Sequence, residues 1–464
     1  MFDKKIYIER RKKLKEQVKN GIILICGNDL SPMNCEDNTY PFIQDSTFLY
    51  YFGLNRENLF GVIDLDNNKE YIFGNELTMN DIIWMGVQKS TLKEQCESVG
   101  VENLCSLDEL EKFISLAKNE NKLIHYIPQY RHSIIIKIAD WLKISPKEVN
   151  NYVSRELCFA VANQRNIKSE EEIIELEKAV NVTRAMHLTA MEKIKPGMME
   201  YEVVAILENV AKSQNCGLSF PTICSINGQT LHNHYHGNKI KEGDILLIDA
   251  GARLENGYCG DMTTTHPVSG KFTEKQKDIY NLLISMFDKA EELIKPGITY
   301  MKVHLEVCKV LAEGMVSRGI LKGNVDEIVA RGVHALFMPH GLGHMMGLDV
   351  HDMENIGEPI VGYNGEEKST QFGLSSLRLG RTLEKGFVFT VEPGIYFIPE
   401  LIKKWKSENK FLEYINYDEL EKYIDFGGMR YEGDYLVTET GNRRLGDTMP
   451  KYPDEIEKIR TKAF

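Results

Sequence analysis

The chain has 464 residues, enough for two or three domains. Hydrophobic residues make up 42% and charged residues 27%, a balance that excludes disordered, collagen-like and low-complexity chains. With 56 Lys and Arg against 68 Asp and Glu, the net charge of −12 argues against an electrostatic nucleic-acid binder or an anionic-membrane binder.

The opening residues are charged throughout and lack the apolar run of a signal peptide, and no stretch of about 18 uninterrupted apolar residues follows. A cytoplasmic protein without a membrane span is therefore expected. The nine cysteines are an odd number with no CxxC pair, which disfavours a disulfide framework or a zinc ribbon, and most are expected as small buried hydrophobes.

Residues 1–164 read as a mixed α/β domain. Glu9 to Lys19 has a charged helical pattern, and Ile22 to Cys26 is an apolar run of strand length. Leu59 to Leu65 and Tyr71 to Phe73 flank Asp66, Asn67 and Asn68 in the manner of a hairpin. The stretch Tyr40 to Gly53 is the most aromatic in the chain and reads as a packed strand and domain interface rather than a ligand site.

A boundary falls near residue 165, and residues 165–464 form the second domain. Ser169 with Glu172 fits a capping box, Ile173, Leu176 and Val180 keep helical spacing, and Lys195-Pro196-Gly197 stops the helix. A weak internal repeat follows. Ile194-Lys-Pro-Gly197 recurs as Ile294-Lys-Pro-Gly297, and the segment from Gly243 through Asp249 to Gly251 has a counterpart from Gly386 through Glu392 to Gly394. The second half carries an insertion of about 43 residues, and the histidines cluster there. Two helix–strand halves point to a pseudo-twofold α/β fold.

An apolar strand that ends in an acid is costly unless the carboxylate is paired, hydrogen-bonded or bound to a metal. Asp249 and Glu392 both stand at such ends. Asp261 follows Asp249 across a Leu-Glu-Asn-Gly turn, so a hairpin would bring the two acids side by side, where divalent cations would stabilise both as anions. Three histidines, His340, His344 and His351, lie within twelve positions among glycines, and Gly341 and Gly343 suit a sharply turning site loop. Arg430 and Glu432, two apart, can share a strand face, with Arg430 orienting a ligand carboxylate. Asp249, Asp261, His344, Glu392 and Glu432 together offer four carboxylates and one imidazole, which balances two divalent ions and suits manganese, iron, cobalt or zinc. A pair of such ions activates water and stabilises an oxyanion, the chemistry of hydrolysis.

These motifs, DAG…GD, HGLGH, VEPG and GMRYEGD, are where the chain resembles the metallopeptidases with the pita-bread fold, specifically the proline-peptidase branch of aminopeptidase P and prolidase. The resemblance spans nearly the whole chain, beginning with an N-terminal domain of the creatinase/prolidase type around Pro41 to Gly53. It implies Asp249, Asp261, His344, Glu392 and Glu432 as ligands of two metal ions, manganese first, with cobalt, zinc or iron as alternatives, and Asp261 and Glu432 as the bridging carboxylates. It further implies His232, His340 and His351 as residues that hold substrate and assist proton transfer, Arg430 behind the ligands, Glu392 as the group that orients or deprotonates the water, and a metal-bridging hydroxide as nucleophile. The Asp249 to Asp261 hairpin is one residue longer than the spacing associated with the family, read as a longer turn. His232 has neighbours His234 and His236, so which of the three faces substrate stays open.

The activity implied is release of the N-terminal residue from Xaa-Pro peptides, with Xaa-Pro dipeptidase as the alternative. Arg378 resembles an arginine of prolidases that caps the dipeptide carboxylate, whereas the text from Gln44 to Gly53 and the run Asp249 to Gly251 look more like aminopeptidase P. Methionine aminopeptidase, a creatinase-like amide hydrolase and a non-catalytic peptide-binding module rank below. A homodimer or homotetramer is implied, with the aromatic stretch Phe48 to Phe52 suited to the contact. The segment Glu354 to Gly380 reads as a loop at the site mouth and Leu401 to Tyr423 as a solvated helical excursion.

Overall fold

The computed structural model describes residues 2–463 and divides the chain into two units, Met1–Arg165 with Met353–Val361, and Asn166–Asp352 with Gly362–Phe464. In the first unit the apolar run Ile22–Cys26 is a fully buried strand, since five consecutive apolar side chains need cover on both faces of a sheet. It pairs antiparallel with Phe60–Asp64 and parallel with Ile124–His125, and the strands Lys69–Phe73 and Asn103–Cys105 extend the sheet beyond Phe60–Asp64. The hairpin is present at its expected place, with Asn68 at φ 49° in the turn. On one face, Leu24, Cys26 and Val62 pack against Ile114 and Ile138 of the helices Leu110–Asn119 and His132–Leu142.

The aromatic stretch differs from its expectation. Phe48 to Phe52 lie on a helix, Ser46–Phe52, started by the Asp45 carboxylate accepting from the Phe48 amide and closed by Gly53 at φ 63°. Capping and tertiary packing override the strand propensity of the aromatics, because every side chain of this short helix finds cover. With Phe48, Tyr51 and Phe52 fully buried, the stretch offers no aromatic surface for an oligomer contact. The charged helix Lys4–Gln17 docks beside it through Arg11, which is buried and donates to the carbonyls of Tyr51 and Val99 and to Glu70 at 2.7 Å.

In the second unit the helix Glu170–Lys193 begins at the Ser169–Glu172 capping box and ends before Pro196, and Glu200–Ser213 packs against it. Glu274–Leu293 and Tyr300–Ser317 repeat that pair. The likeness reaches individual bonds. Gly197 N–H donates to Ile240, whose own N–H donates to Met198; Gly297 N–H donates to Leu383, whose N–H donates to Ile298. Gly197 and Gly297 sit at φ 97° and 86°, a region that favours glycine.

Each half then builds an antiparallel three-stranded sheet. The first joins Ile223–Ser225, Ile245–Ala250 and Met262–Pro267; the second joins Val388–Val391, Gly433–Val437 and Asn442–Arg444. Asp249 and Glu392 therefore end corresponding strands, while Asp261 and Glu432 directly precede the strands that pair with them. Arg460, buried at the end of the helix Pro453–Arg460, donates to the carbonyls of Met191, Ile194, Pro267 and Val268 and so fastens to the first half. The Leu401 to Tyr423 excursion holds the helices Pro399–Ser407 and Tyr417–Leu420, anchored by buried Ile402 and Trp405. No helix among the described residues is long and apolar enough to cross a membrane, and all nine cysteines are unpaired, seven of them buried.

Candidate active site

The strand and hairpin geometry gathers the acids. Asp249 lies in register with Thr263, and the turn between the strands closes through Gly257 at φ 98°. Glu432 follows the strand Gly428–Arg430 and is fixed through its amide, which donates to the Thr263 carbonyl, and its carboxylate, which accepts from the Thr263 hydroxyl at 2.7 Å.

The histidine loop is pinned to the second sheet. Thr390 N–H donates to the His344 carbonyl, His344 N–H to the Thr390 hydroxyl, and Glu392 N–H to the Leu342 carbonyl. Gly343 permits this approach, because a Cβ there would lie 2.0 Å from the Thr390 carbonyl oxygen. His344 Nδ1–H donates to the Met345 carbonyl, which leaves the Nε2 lone pair pointing at Asp261 Oδ2, 3.4 Å away, and Glu392 Oε1, 3.7 Å away.

These groups line a cavity of about 490 Å³ within the second unit. Asp249, Asp261, His344, Glu392 and Glu432 line it together with His232, His340, His351, Arg378 and Arg430, and Phe220, Pro221, Ile223 and Leu231 supply apolar wall. Every candidate site residue read from the sequence thus meets in one place. Of the three neighbouring histidines, His232 and His234 face the cavity, while His236 donates to the Thr222 carbonyl.

Burial and mutual repulsion shape the protonation of the site. Burial first, then Asp249 and Asp434, hold Asp261 well above the usual carboxylate range, and burial followed by Asp261 and Glu392 does the same to Glu432. Burial pushes Glu392 up to about 7. Burial also lowers His340 to about 3 and His344 to about 4, so both rings are neutral near pH 7. Arg430 answers part of the negative charge by donating to Asp249 Oδ2 at 2.6 Å, to the Tyr396 hydroxyl at 2.8 Å and to Thr263 at 3.1 Å. Its partner is Asp249 on the neighbouring strand, not Glu432 beside it in sequence.

The donor set fits a cation. Asp261, His344 and Glu432 bring one ligand atom each to within 4.8 Å of one another, Asp249 Oδ1 and Asp261 Oδ1 are buried without a hydrogen-bond partner, and the His344 lone pair faces two acceptors. Four carboxylates with one imidazole fit divalent metal ions.

Sequence reading missed Tyr396, Thr263, Thr390 and Asp434. Asp434 accepts from the Asp261 amide at 3.1 Å, and Tyr396 links Arg430 to His340. Their signal was slight: polar side chains in fully buried strands, where each polar atom must find a partner.

Residues 175–439 match the model of metallopeptidase family M24, and residues 7–125 match that of the aminopeptidase P N-terminal domain. The chain is 31% identical to the Xaa-Pro aminopeptidase of Escherichia coli (strain K12), covering 98% of this chain and 97% of that one. It is 32% identical to the Xaa-Pro dipeptidase of Homo sapiens, covering 97% and 90%. Among solved structures it resembles the zinc-substituted aminopeptidase P of E. coli in complex with product, with a TM-score of 0.80, 29% identity and coverage of 100% and 99%.

Proposed function

The chain belongs to metallopeptidase family M24, and on that footing we propose that it is an Xaa-Pro aminopeptidase that releases the N-terminal residue from peptides with proline second. The observation that carries this reading is the Asp261, His344 and Glu432 cluster lining the cavity, in a chain that matches aminopeptidase P along its whole length. Residues 1–164 serve as the N-terminal domain and 165–464 as the catalytic one.

We assign Asp249, Asp261, His344, Glu392 and Glu432 as ligands of two divalent ions, manganese first. Bound there, the ions would polarise the scissile carbonyl and acidify water. The remaining steps fall to the chain. Glu392 Oε2, 3.9 Å from His340 Nδ1, receives the proton of the attacking water and returns it to the leaving prolyl nitrogen. His232, His340 and His351 hold the carbonyl and its developing charge, and Arg430 keeps Asp249 in place. A prolyl nitrogen has no hydrogen and its ring fixes φ, so the apolar wall of Phe220, Pro221 and Leu231 selects shape where other peptides would demand a donor's partner.

Arg378 on the cavity wall favours a second reading, Xaa-Pro dipeptidase, in which its guanidinium holds the carboxylate of a dipeptide. Nine unpaired cysteines support a cytoplasmic compartment, and a homodimer or homotetramer is the assembly we propose.

The test is hydrolysis by manganese-loaded protein of an Xaa-Pro dipeptide and of the same residues extended to Xaa-Pro-Yaa-Yaa, with a chelator control. Cleavage of both, or mainly of the longer peptide, is expected. Cleavage of the dipeptide alone would select the second reading, and no chelator-sensitive cleavage of either would sink both.

A further inference from the structure

A second group of ligand-bearing side chains lies outside the cavity lining. His304 and Cys308 stand one turn apart on the helix Tyr300–Ser317, so they share a face, and His334 comes from the turn Val333–Leu336 that packs against that helix. All three are completely buried, and one ligand atom from each falls within 4.8 Å of the others. His304 Nε2 is 3.5 Å from Cys308 Sγ, and the two rings meet edge-on with centroids 6.3 Å apart.

The hydrogen bonding of these rings is incomplete. His304 Nδ1, His334 Nδ1 and His334 Nε2 are buried without any partner. A neutral imidazole carries one N–H and one lone pair, and His334 satisfies neither, whereas the great majority of buried polar groups in folded proteins are paired. A phenylalanine or leucine would fill such a position without that cost. The same burial that leaves the rings unpartnered keeps them neutral near pH 7, with His304 lowered to about 3 and His334 to about 4, so their lone pairs are available.

We propose that His304, Cys308 and His334 form a second metal site, which takes a single divalent ion of the zinc class. Two imidazole nitrogens and one sulfur are borderline-to-soft donors that select zinc or cobalt, whereas the carboxylates of the cavity suit manganese. Binding replaces the Cys308 thiol proton with the ion and releases that proton to solvent. The ion would tie the helix Tyr300–Ser317 to the backbone that leads from His334 into Pro339 and His340. The two sites differ in preference, so manganese would load the cavity alone, while cobalt would load both.

The experiment uses the full chain carrying Asp261→Ala and His344→Ala, stripped with a chelator and titrated with Co²⁺. No cysteine lines the cavity, so a sulfur-to-cobalt charge-transfer band in the near ultraviolet reports only on the second site. The expected result is that band at one cobalt per chain. It vanishes with Cys308→Ser, along with one equivalent of metal, and His334→Gln weakens cobalt affinity about 10- to 100-fold. Absence of the band from chelator-stripped protein that keeps the wild-type circular dichroism would overturn the site, as would a band that survives Cys308→Ser. Should Cys308→Ser fail to fold, His334→Gln decides alone: unchanged cobalt affinity counts against the proposal and weakened affinity for it. These readouts are independent of peptidase activity, so failure here leaves the proposed function standing.

Discussion

The Tyr396 hydroxyl donates to His340 Nε2 at 2.9 Å, and it can do so because His340 Nδ1–H is committed to the Gly341 carbonyl at 2.7 Å. Arg430 donates to the same hydroxyl, so one tyrosine connects the residue that holds Asp249 to a histidine of the substrate wall. Tyr396→Phe should lower kcat about 10- to 100-fold while leaving manganese content unchanged. Steady-state kinetics with metal analysis separates this from loss of metal; a loss confined to KM would mean that the hydroxyl serves binding only.

Asp261 is a site of conflict in the chelated protein. In chelated protein near pH 8, Asp261→Asn should raise stability by about 1–3 kcal/mol, the scale of an unsatisfied buried polar group, because it removes a carboxyl whose ionisation burial, Asp249 and Asp434 oppose. The same change should abolish hydrolysis and erase the thermal shift on adding manganese. Differential scanning calorimetry with and without manganese measures both effects.

Glu392 makes chelated protein sensitive to pH. Its folded pKa is raised from 4.5 to about 7, so below about pH 4.5 both folded and unfolded chains hold the proton and nothing is lost. Between about 4.5 and 7 the unfolded chain releases the proton while the folded chain keeps it, and stability falls by about 3 kcal/mol. Denaturant titrations of wild type and Glu392→Gln at about pH 4 and pH 8 should show a steeper fall in the wild type than in the variant, where Asp434, raised to about 7, still contributes.

Arg378 distinguishes the two substrate readings. If its guanidinium binds a dipeptide carboxylate, Arg378→Ala should raise KM for an Xaa-Pro dipeptide at least tenfold and change hydrolysis of an Xaa-Pro-Yaa-Yaa peptide far less. Equal losses on both substrates would place the arginine in the chemistry instead.

The acids and histidines of the cavity were legible because glycine, turn and carboxylate recur at matching positions in both halves, and burial of an acid at a strand end has few physical solutions. What joins them was not. The pairing of Arg430 with Asp249 is a side-chain contact between strands of different sheets, far apart in sequence, which no local spacing encodes. The helix at Ser46–Phe52 escaped because aromatic composition favours a strand, while the Asp45 cap that decides the matter is one side chain. His304, Cys308 and His334 escaped for a similar reason: two lie at helical spacing, but the third joins them only through tertiary packing.

The Arg460 clamp bears on how the protein is made. The carbonyls of Met191, Ile194, Pro267 and Val268 are synthesised long before the guanidinium that occupies them. At roughly 5–20 residues per second, the nascent first half waits on the order of 10–40 s for that helix to emerge from the ribosome. For much of that interval Glu392 and then Glu432 are also still to be made, so the catalytic site can close only once the second half has been synthesised.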